Sequence, residues 1–352
     1  MIKYLGSKRT LIPLILEAVQ RTAGAQSVID LFSGTSRVGH ALKRAGYRVL
    51  ANDHNSYALT LARCYVQSDL EDVYRDADML VAEFNSLAGC PGYFTRTFCE
   101  DSRFFQPENG ARIDAVREAI AAKSLPPELE AVMLVSLMEA ADRVDSTTGV
   151  QMAYLKSWAP RAHNPLRLRV PELLSKAAHG KGEAHGFDAL AAAECLEADV
   201  AYIDPPYNQH SYLGNYHVWE SLVRWDKPAV FGVACKRADV KQRQSVFNSR
   251  PRFEESFRAL LHAVRAPTLI VSYSSEGFLT QERFEATLRS LHGGQVSVTT
   301  IATTYPRYVG ARIGIYSPKG QKVGRVGHLT NTEFLYVVSR SAVPLFNTIA
   351  HA

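Results

Sequence analysis

Apolar and polar positions change their period several times along this chain, and each change marks an element. Ser27-Val-Ile-Asp-Leu-Phe32 is a short apolar run ended by Ser33-Gly34, the pattern of a buried strand. A helix is expected from about Arg37 to Ala45, closed by Gly46. Tyr47-Arg-Val-Leu-Ala51 reads as a second strand ending at Asn52-Asp53. The next helix starts near Asn55 and carries Tyr57, Leu59, Leu61 and Cys64. Strand, helix, strand, helix with short connections predicts a doubly wound, mostly parallel α/β sheet of the Rossmann-like kind.

Strand signals then stop. From about Asp69 to Val144 the pattern is mostly helical, most clearly over Pro127 to Val144, where Leu129, Val132, Met133, Leu137 and Ala140 share a face. Asp145 to His185 is irregular and basic. Strands return at Glu183–Phe187, Asp199–Ile203, Thr268–Tyr273, Val296–Thr304 and Glu333–Val338. The expected organisation is a discontinuous catalytic domain, residues 1–65 and 183–345, interrupted by a mainly helical insertion over 66–182.

Charge sharpens that division. Val66 to Asp145 holds 7 basic and 16 acidic residues, whereas Ser146 to Gly182 holds 6 and 1, Arg224 to Arg252 holds 8 and 2, and Tyr305 to Arg325 holds 5 and 0. Three basic segments of this kind would meet a phosphate-bearing partner that the acidic block repels, although solvated faces produce the same pattern. The five cysteines are odd in number and form no C-x-x-C pair, and the histidines form no H-E-x-x-H, so neither disulfides nor a metal is expected. No apolar run reaches the ~20 residues of a membrane span. Met1 to Thr10 carries Lys3, Lys8 and Arg9 where a signal peptide would be apolar, so the expected location is cytoplasmic.

Chemistry is concentrated at strand ends. Asp204-Pro205-Pro206-Tyr207 directly follows the Asp199–Ile203 strand, at the carboxyl edge where open α/β sheets bind ligands. A carboxylate and a stiffened backbone carbonyl can accept both hydrogens of an exocyclic amine and turn its lone pair outward. A neighbouring aromatic ring can stack on a base extruded from a duplex. Asp30-Leu-Phe32-Ser33-Gly34-Thr-Ser-Arg37-Val-Gly39 forms a glycine-containing turn into the following helix, and Asp53 ends the next strand, where an acid commonly pairs with ribose hydroxyls. Neither G-x-G-x-x-G nor G-K-[ST] is present. Lys3-Tyr4-Leu5-Gly6-Ser7-Lys8 precedes the first strand.

In this order the motifs resemble the Dam-like, class alpha adenine-specific DNA methyltransferases: a K-Y-x-G-S/G-K stretch, an F-x-G loop, an inserted target-recognition region, then D-P-P-Y. The resemblance implies an S-adenosylmethionine pocket lined by Tyr4, Lys8, Asp30, Phe32, Ser33, Gly34 and Asp53, with Asp188 at the cofactor's adenine. It implies a catalytic site of Asp204, Pro205, Pro206 and Tyr207, supported by Ser272-Tyr273. The implied partner is double-stranded DNA, with any restriction endonuclease on a separate chain, because no nuclease motif is visible here. The basic half of the insertion does not match the family's hairpin-bearing recognition domain. Lys156, Trp158, Arg161, Arg167 and Arg169, with Lys236 and Arg237, are the expected DNA contacts. Methylation of cytosine or of RNA adenine, or an inactive DNA-binding relative, stays open on the residues alone.

Overall fold

The computed structural model describes residues 1–6, 8–306 and 330–340. Ser7, most of the basic Tyr305–Arg325 segment and the last residues of the expected catalytic domain lie outside the described residues. Nine strands are described: β1 Ser27–Asp30, β2 Arg48–Asn52, β3 Glu183–His185, β4 Val200–Ile203, β5 Val230–Phe231, β6 Lys236–Arg237, β7 Thr268–Ser274, β8 Ser297–Pro306 and β9 Thr330–Ser339. Seven of them form one sheet in the order β3-β2-β1-β4-β7-β9-β8, and β5 and β6 form a separate hairpin. From β3 to β7 all neighbours are parallel, while β9 runs antiparallel to both β7 and β8. The order reverses between β1 and β4, which opens a crevice at their carboxyl ends.

Strand alternation divides the core into two faces. Val28, Val49, Val200, Tyr202 and Ile270 face the helices that carry Leu11, Ile15, Val19 and Leu42. Ile29, Leu50, Ala201, Ile203 and Val271 face the helices Ala189–Cys195, Arg250–Ala263 and Gln281–Arg289, through Phe253, Phe257, Phe284 and Leu288. A third core joins the insertion to the sheet domain. Phe84, Phe98, Ile113, Val132 and Leu137 of the inserted helices pack with Tyr57, Leu61, Tyr216 and Trp219. The segment between β2 and β3 therefore shares a core with the sheet region.

The irregular basic half of the insertion is stapled down by two asparagines. Asn85 exchanges hydrogen bonds with the Leu168 backbone, and Asn109 accepts from Leu166 N–H while donating to the Ala162 and Asn164 carbonyls. Those bonds supply partners for backbone that has no strand ladder of its own. Leu166, Leu168 and Leu173 then bury their side chains in the shared core.

Candidate active site

The first wall of the crevice is the turn after β1. Gly34 adopts a positive φ of 51° and Ser36 one of 59°. A Cβ on Gly34 would meet the Tyr4 ring at 3.6 Å, an ordinary contact, so it is the positive φ and not lack of room that favours glycine in this turn. Ser33 N–H donates to the Asn52 carbonyl at 2.9 Å, tying the turn to the end of β2. Asp53, just beyond β2, accepts from Gly34 N–H at 3.0 Å through one carboxyl oxygen and from Asn55 N–H at 2.9 Å through the other. The expected pairing of glycine turn and acid is thus a direct contact.

Asp30 closes β1 at 1% exposure, and neither of its carboxyl oxygens has a hydrogen-bond partner. Burial pushes its pKa up to about 7, while the Ser33 hydroxyl and Gly39 N–H lie near enough to oppose the shift without satisfying the group. Arg37, one turn further on, is partly buried, and its Nε is also without a partner. Burial and nearby Arg9 lower its pKa. Asp30, Arg37 and Asp53 all line the same cleft. A cleft with an unpaired buried carboxyl, a guanidinium and a glycine cradle fits a ligand that carries an ammonium, a carboxylate and a nucleoside.

Aromatic stacking forms the second wall. Tyr4 lies between Tyr212, 5.3 Å away and nearly coplanar, and Tyr216, 4.5 Å away. Tyr216 Oη accepts from Leu5 N–H at 2.6 Å, and the Tyr4 and Tyr57 hydroxyls are 3.2 Å apart. The N-terminal segment is also clamped to the insertion. Lys3 Nζ reaches Asp145 Oδ1 at 2.7 Å, and Arg161 Nε reaches the same oxygen at 2.9 Å.

The third wall is the turn after β4. Asp204 and Pro206 line the same cleft as Gly34, and Pro205 between them in the chain is buried. Lys8 Nζ stands 3.2 Å from Asp204 Oδ1 and 2.9 Å from Glu333 Oε2. Burial alone would lower the Lys8 pKa, but attraction to Asp204 and then Glu333 outweighs it and holds the ammonium well above its ordinary value. Burial pushes the Asp204 carboxyl up to about 6, against the pull of Lys8 and with Glu333 adding to the rise. Tyr207 is partly buried, its ring 5.7 Å from Lys8 Nζ and edge-on to Tyr273 at 6.0 Å. Asn248 Nδ2 donates to the Asn208 and His210 carbonyls at 2.9 and 3.2 Å, which fixes the loop that follows.

Tyr4, Lys8, Asp30, Phe32, Ser33, Gly34, Asp53, Asp204 and Pro206, all expected from the sequence, therefore share one cleft. Asp188, just beyond β3 and beside the end of β2, is not among the residues lining that cleft; it is exposed and caps the Ala189–Cys195 helix by accepting from Leu190 N–H. Among the expected DNA contacts, Lys156, Arg167 and Arg169 are exposed. Trp158 lies under the Arg103 guanidinium at 4.8 Å, and Arg161 is engaged with Asp145 and the Thr147 carbonyl. Lys236 is partly buried on β6. Arg237 is a correction. It is 1% exposed, with paired bonds to Asp226 and Asp239, so its charge holds the β5–β6 hairpin to the body and is not offered to a phosphate. Sequence reasoning missed Glu333, Tyr212, Tyr216 and Asn248, none of which stands in a local motif, and assigned no role to Arg37, which closes the glycine-containing turn.

No helix among the described residues is long and apolar enough to cross a membrane, and no group of three or more His, Cys, Asp or Glu side chains there could hold a metal. Comparison with known proteins agrees with the site's chemistry. Type II methyltransferase M.FokI of Planomicrobium okeanokoites is 30% identical over 326 residues, covering 87% of this chain and 50% of that protein. Modification methylase StsI of Streptococcus sanguinis is 28% identical over 299 residues, 80% of this chain and 45% of its own length. This chain thus spans about half the length of those two relatives. Type II methyltransferase M.NlaIII of Neisseria lactamica is 26% identical over 348 residues, 96% of this chain and 98% of that one. A family profile matches residues 4–271, from the N-terminal lysine–tyrosine segment through β7, and the chain belongs to the D12 class N6 adenine-specific DNA methyltransferases.

Proposed function

We propose that the protein methylates the exocyclic amino nitrogen of adenine in double-stranded DNA, with S-adenosylmethionine as donor. The observation that carries this reading is the cleft that Asp204 and Pro206 line together with Gly34, Asp30 and Asp53. When bound, S-adenosylmethionine supplies an electrophilic methyl group. Gly34 and Tyr4 would shelter its nucleoside, Asp53 its ribose, Asp30 its ammonium and Arg37 its carboxylate.

The target adenine must leave the stack to reach Asp204, at a cost of a few kcal/mol that stacking and backbone contacts offset. Tyr207 would stack on the extruded ring. The Asp204 carboxylate and the Pro205 carbonyl would accept the two amino hydrogens and direct the nitrogen lone pair toward the methyl carbon. Holding both partners in line supplies much of the rate, and no strong base is required because the amino proton can leave to water once nitrogen is cationic. DNA would lie over exposed Lys156, Arg167 and Arg169 beside the clamp that Asp145 makes with Lys3. The relatives named as Type II modification enzymes support a place in restriction–modification, with any endonuclease a separate protein and the cytoplasm as the site of action.

Purified protein, methyl-labelled S-adenosylmethionine and unmethylated duplex DNA test the reading when the digested nucleosides are resolved by mass. Label in the deoxynucleoside of N6-methyladenine is expected, and sequencing the product yields the recognition site. Label only in methylcytosine or in RNA would overturn the substrate assignment. An Asp204→Ala variant is expected to bind the cofactor yet transfer at least a thousandfold more slowly. Turnover at the normal rate would remove Asp204 from the mechanism.

A further inference from the structure

One buried ammonium serves two carboxylates beside the methyl-transfer turn, and only one of those carboxylates belongs to a motif. Glu333 stands on β9, where Phe334, Leu335 and Tyr336 beside it are buried and apolar, as the middle of a sheet requires. Its side chain is 1% exposed, 2.9 Å from Lys8 Nζ, with Ser272 Oγ 3.5 Å from the same oxygen. Packing alone gives no reason for a carboxylate in that strand, and burying one is costly unless it is matched. Lys8 is shared with Asp204, so one cation stands between two carboxylates. Titratable groups facing this cluster include Asp30 from β1, Tyr202 from β4, and Tyr207 and Tyr212 from the segment after it.

We propose that Glu333 is a positioning residue for methyl transfer: it fixes the Lys8 ammonium against Asp204 and adds a second negative charge to the cluster that faces the target amine. This inference rests on the function proposed above. As the amino nitrogen forms its bond to the methyl carbon it becomes cationic, until one of its protons leaves to water. A second carboxylate in a desolvated site lowers the energy of that cation beyond what the Lys8–Asp204 pair achieves by itself. Lys8, held also by Glu333, meets Asp204 at Oδ1, which leaves Oδ2 to accept an amino hydrogen.

Two readouts test it. One is the pH dependence of single-turnover methylation of duplex DNA at saturating S-adenosylmethionine. The other is the titration of the Asp204 carboxyl carbon by NMR in the protein alone. Glu333→Gln keeps the shape and removes the charge. The Asp204 midpoint is expected to move to lower pH, and the single-turnover rate to fall at least tenfold with little change in KM. Lys8→Met is expected to move the midpoint the other way, to higher pH. Glu333→Asp, which keeps the charge, is expected to restore the midpoint and part of the rate. A purely structural Glu333 would leave the Asp204 midpoint unmoved in Glu333→Gln, and that result overturns the proposal. A rate within twofold of the parent overturns it equally. If the parent protein transfers no methyl to DNA, the functional reading falls instead, and the titration still decides whether Glu333 acts on Asp204.

Discussion

Asp30→Asn isolates the energetic consequence of leaving a carboxyl buried and unmatched in the cleft. Asp30 is 1% exposed and its pKa rises from 3.8 to about 7 on folding. A carboxyl whose folded pKa is raised disfavours the folded state wherever the unfolded chain has already ionised. The penalty is absent below about pH 4, grows as pH rises, and is complete above about pH 7. At about 1.4 kcal/mol for each pH unit between the two pKa values, it reaches about 4 kcal/mol at pH 8 and about 2 kcal/mol at pH 5. Asparagine has the same outline and no charge. Its own buried amide adds a cost that is the same at both pH values and cancels in the difference. The variant is therefore expected to gain about 2 kcal/mol more stability relative to the parent at pH 8 than at pH 5. Urea unfolding followed by circular dichroism, without cofactor, measures both differences. Equal effects at the two pH values would refute the reasoning, because they would mean that Asp30 is not held protonated by burial. The same substitution should weaken S-adenosylmethionine binding, which identifies the unmatched carboxyl as a cost of the ligand site.

Asp53→Ala removes the acceptor for Gly34 N–H and Asn55 N–H, and should weaken S-adenosylmethionine binding by about 1–3 kcal/mol, roughly ten- to a hundredfold, in calorimetry. An unchanged Kd would show that Asp53 serves only the turn. Lys43→Met strips the partner from buried Asp69, 2.7 Å away, and should cost about 3–5 kcal/mol in urea unfolding. A cost below about 1 kcal/mol, the range of a surface pair, would contradict that burial. Arg237→Met should lower stability by about 2 kcal/mol, less than a fully buried pair because Asp226 and Asp239 keep some solvent. The KM for DNA should stay within twofold, and a large rise with stability unchanged would return Arg237 to the DNA surface.

How much was readable depends on how far apart the interacting residues lie. The Asp204–Tyr207 turn, the Ser33–Gly34 turn and Asp53 each sit where a strand ends. Strand ends are announced by a few consecutive residues, so both motif and position could be read together. The parallel strands β1, β2, β4 and β7 were legible for the same reason, each being a compact apolar run between turn signals. Arg237 marks the opposite case. A charged side chain looks the same in sequence whether it faces a ligand, caps a helix, as Asp188 does, or is buried between two carboxylates, as Arg237 is.

The sequence by itself determined the chemistry and the scaffold: a doubly wound sheet, a glycine turn with its acid, and an amine-accepting turn at the switch point. These are local consequences of residue type and spacing. Only the tertiary structure decided the charge state of the site and the identity of its walls. Lys8 meets Glu333 across 325 residues of chain because β9 enters the sheet antiparallel beside β7 and sets Glu333 opposite Ser274, with its carboxylate in reach of Ser272 Oγ. Tyr4 meets Tyr212 and Tyr216 because the N-terminal segment, through Ile2, packs into the same core as the segment that carries Tyr216. No periodicity encodes such meetings, since long-range burial selects them: an ionised group withdrawn from water is stable only where the fold supplies its counter-charge.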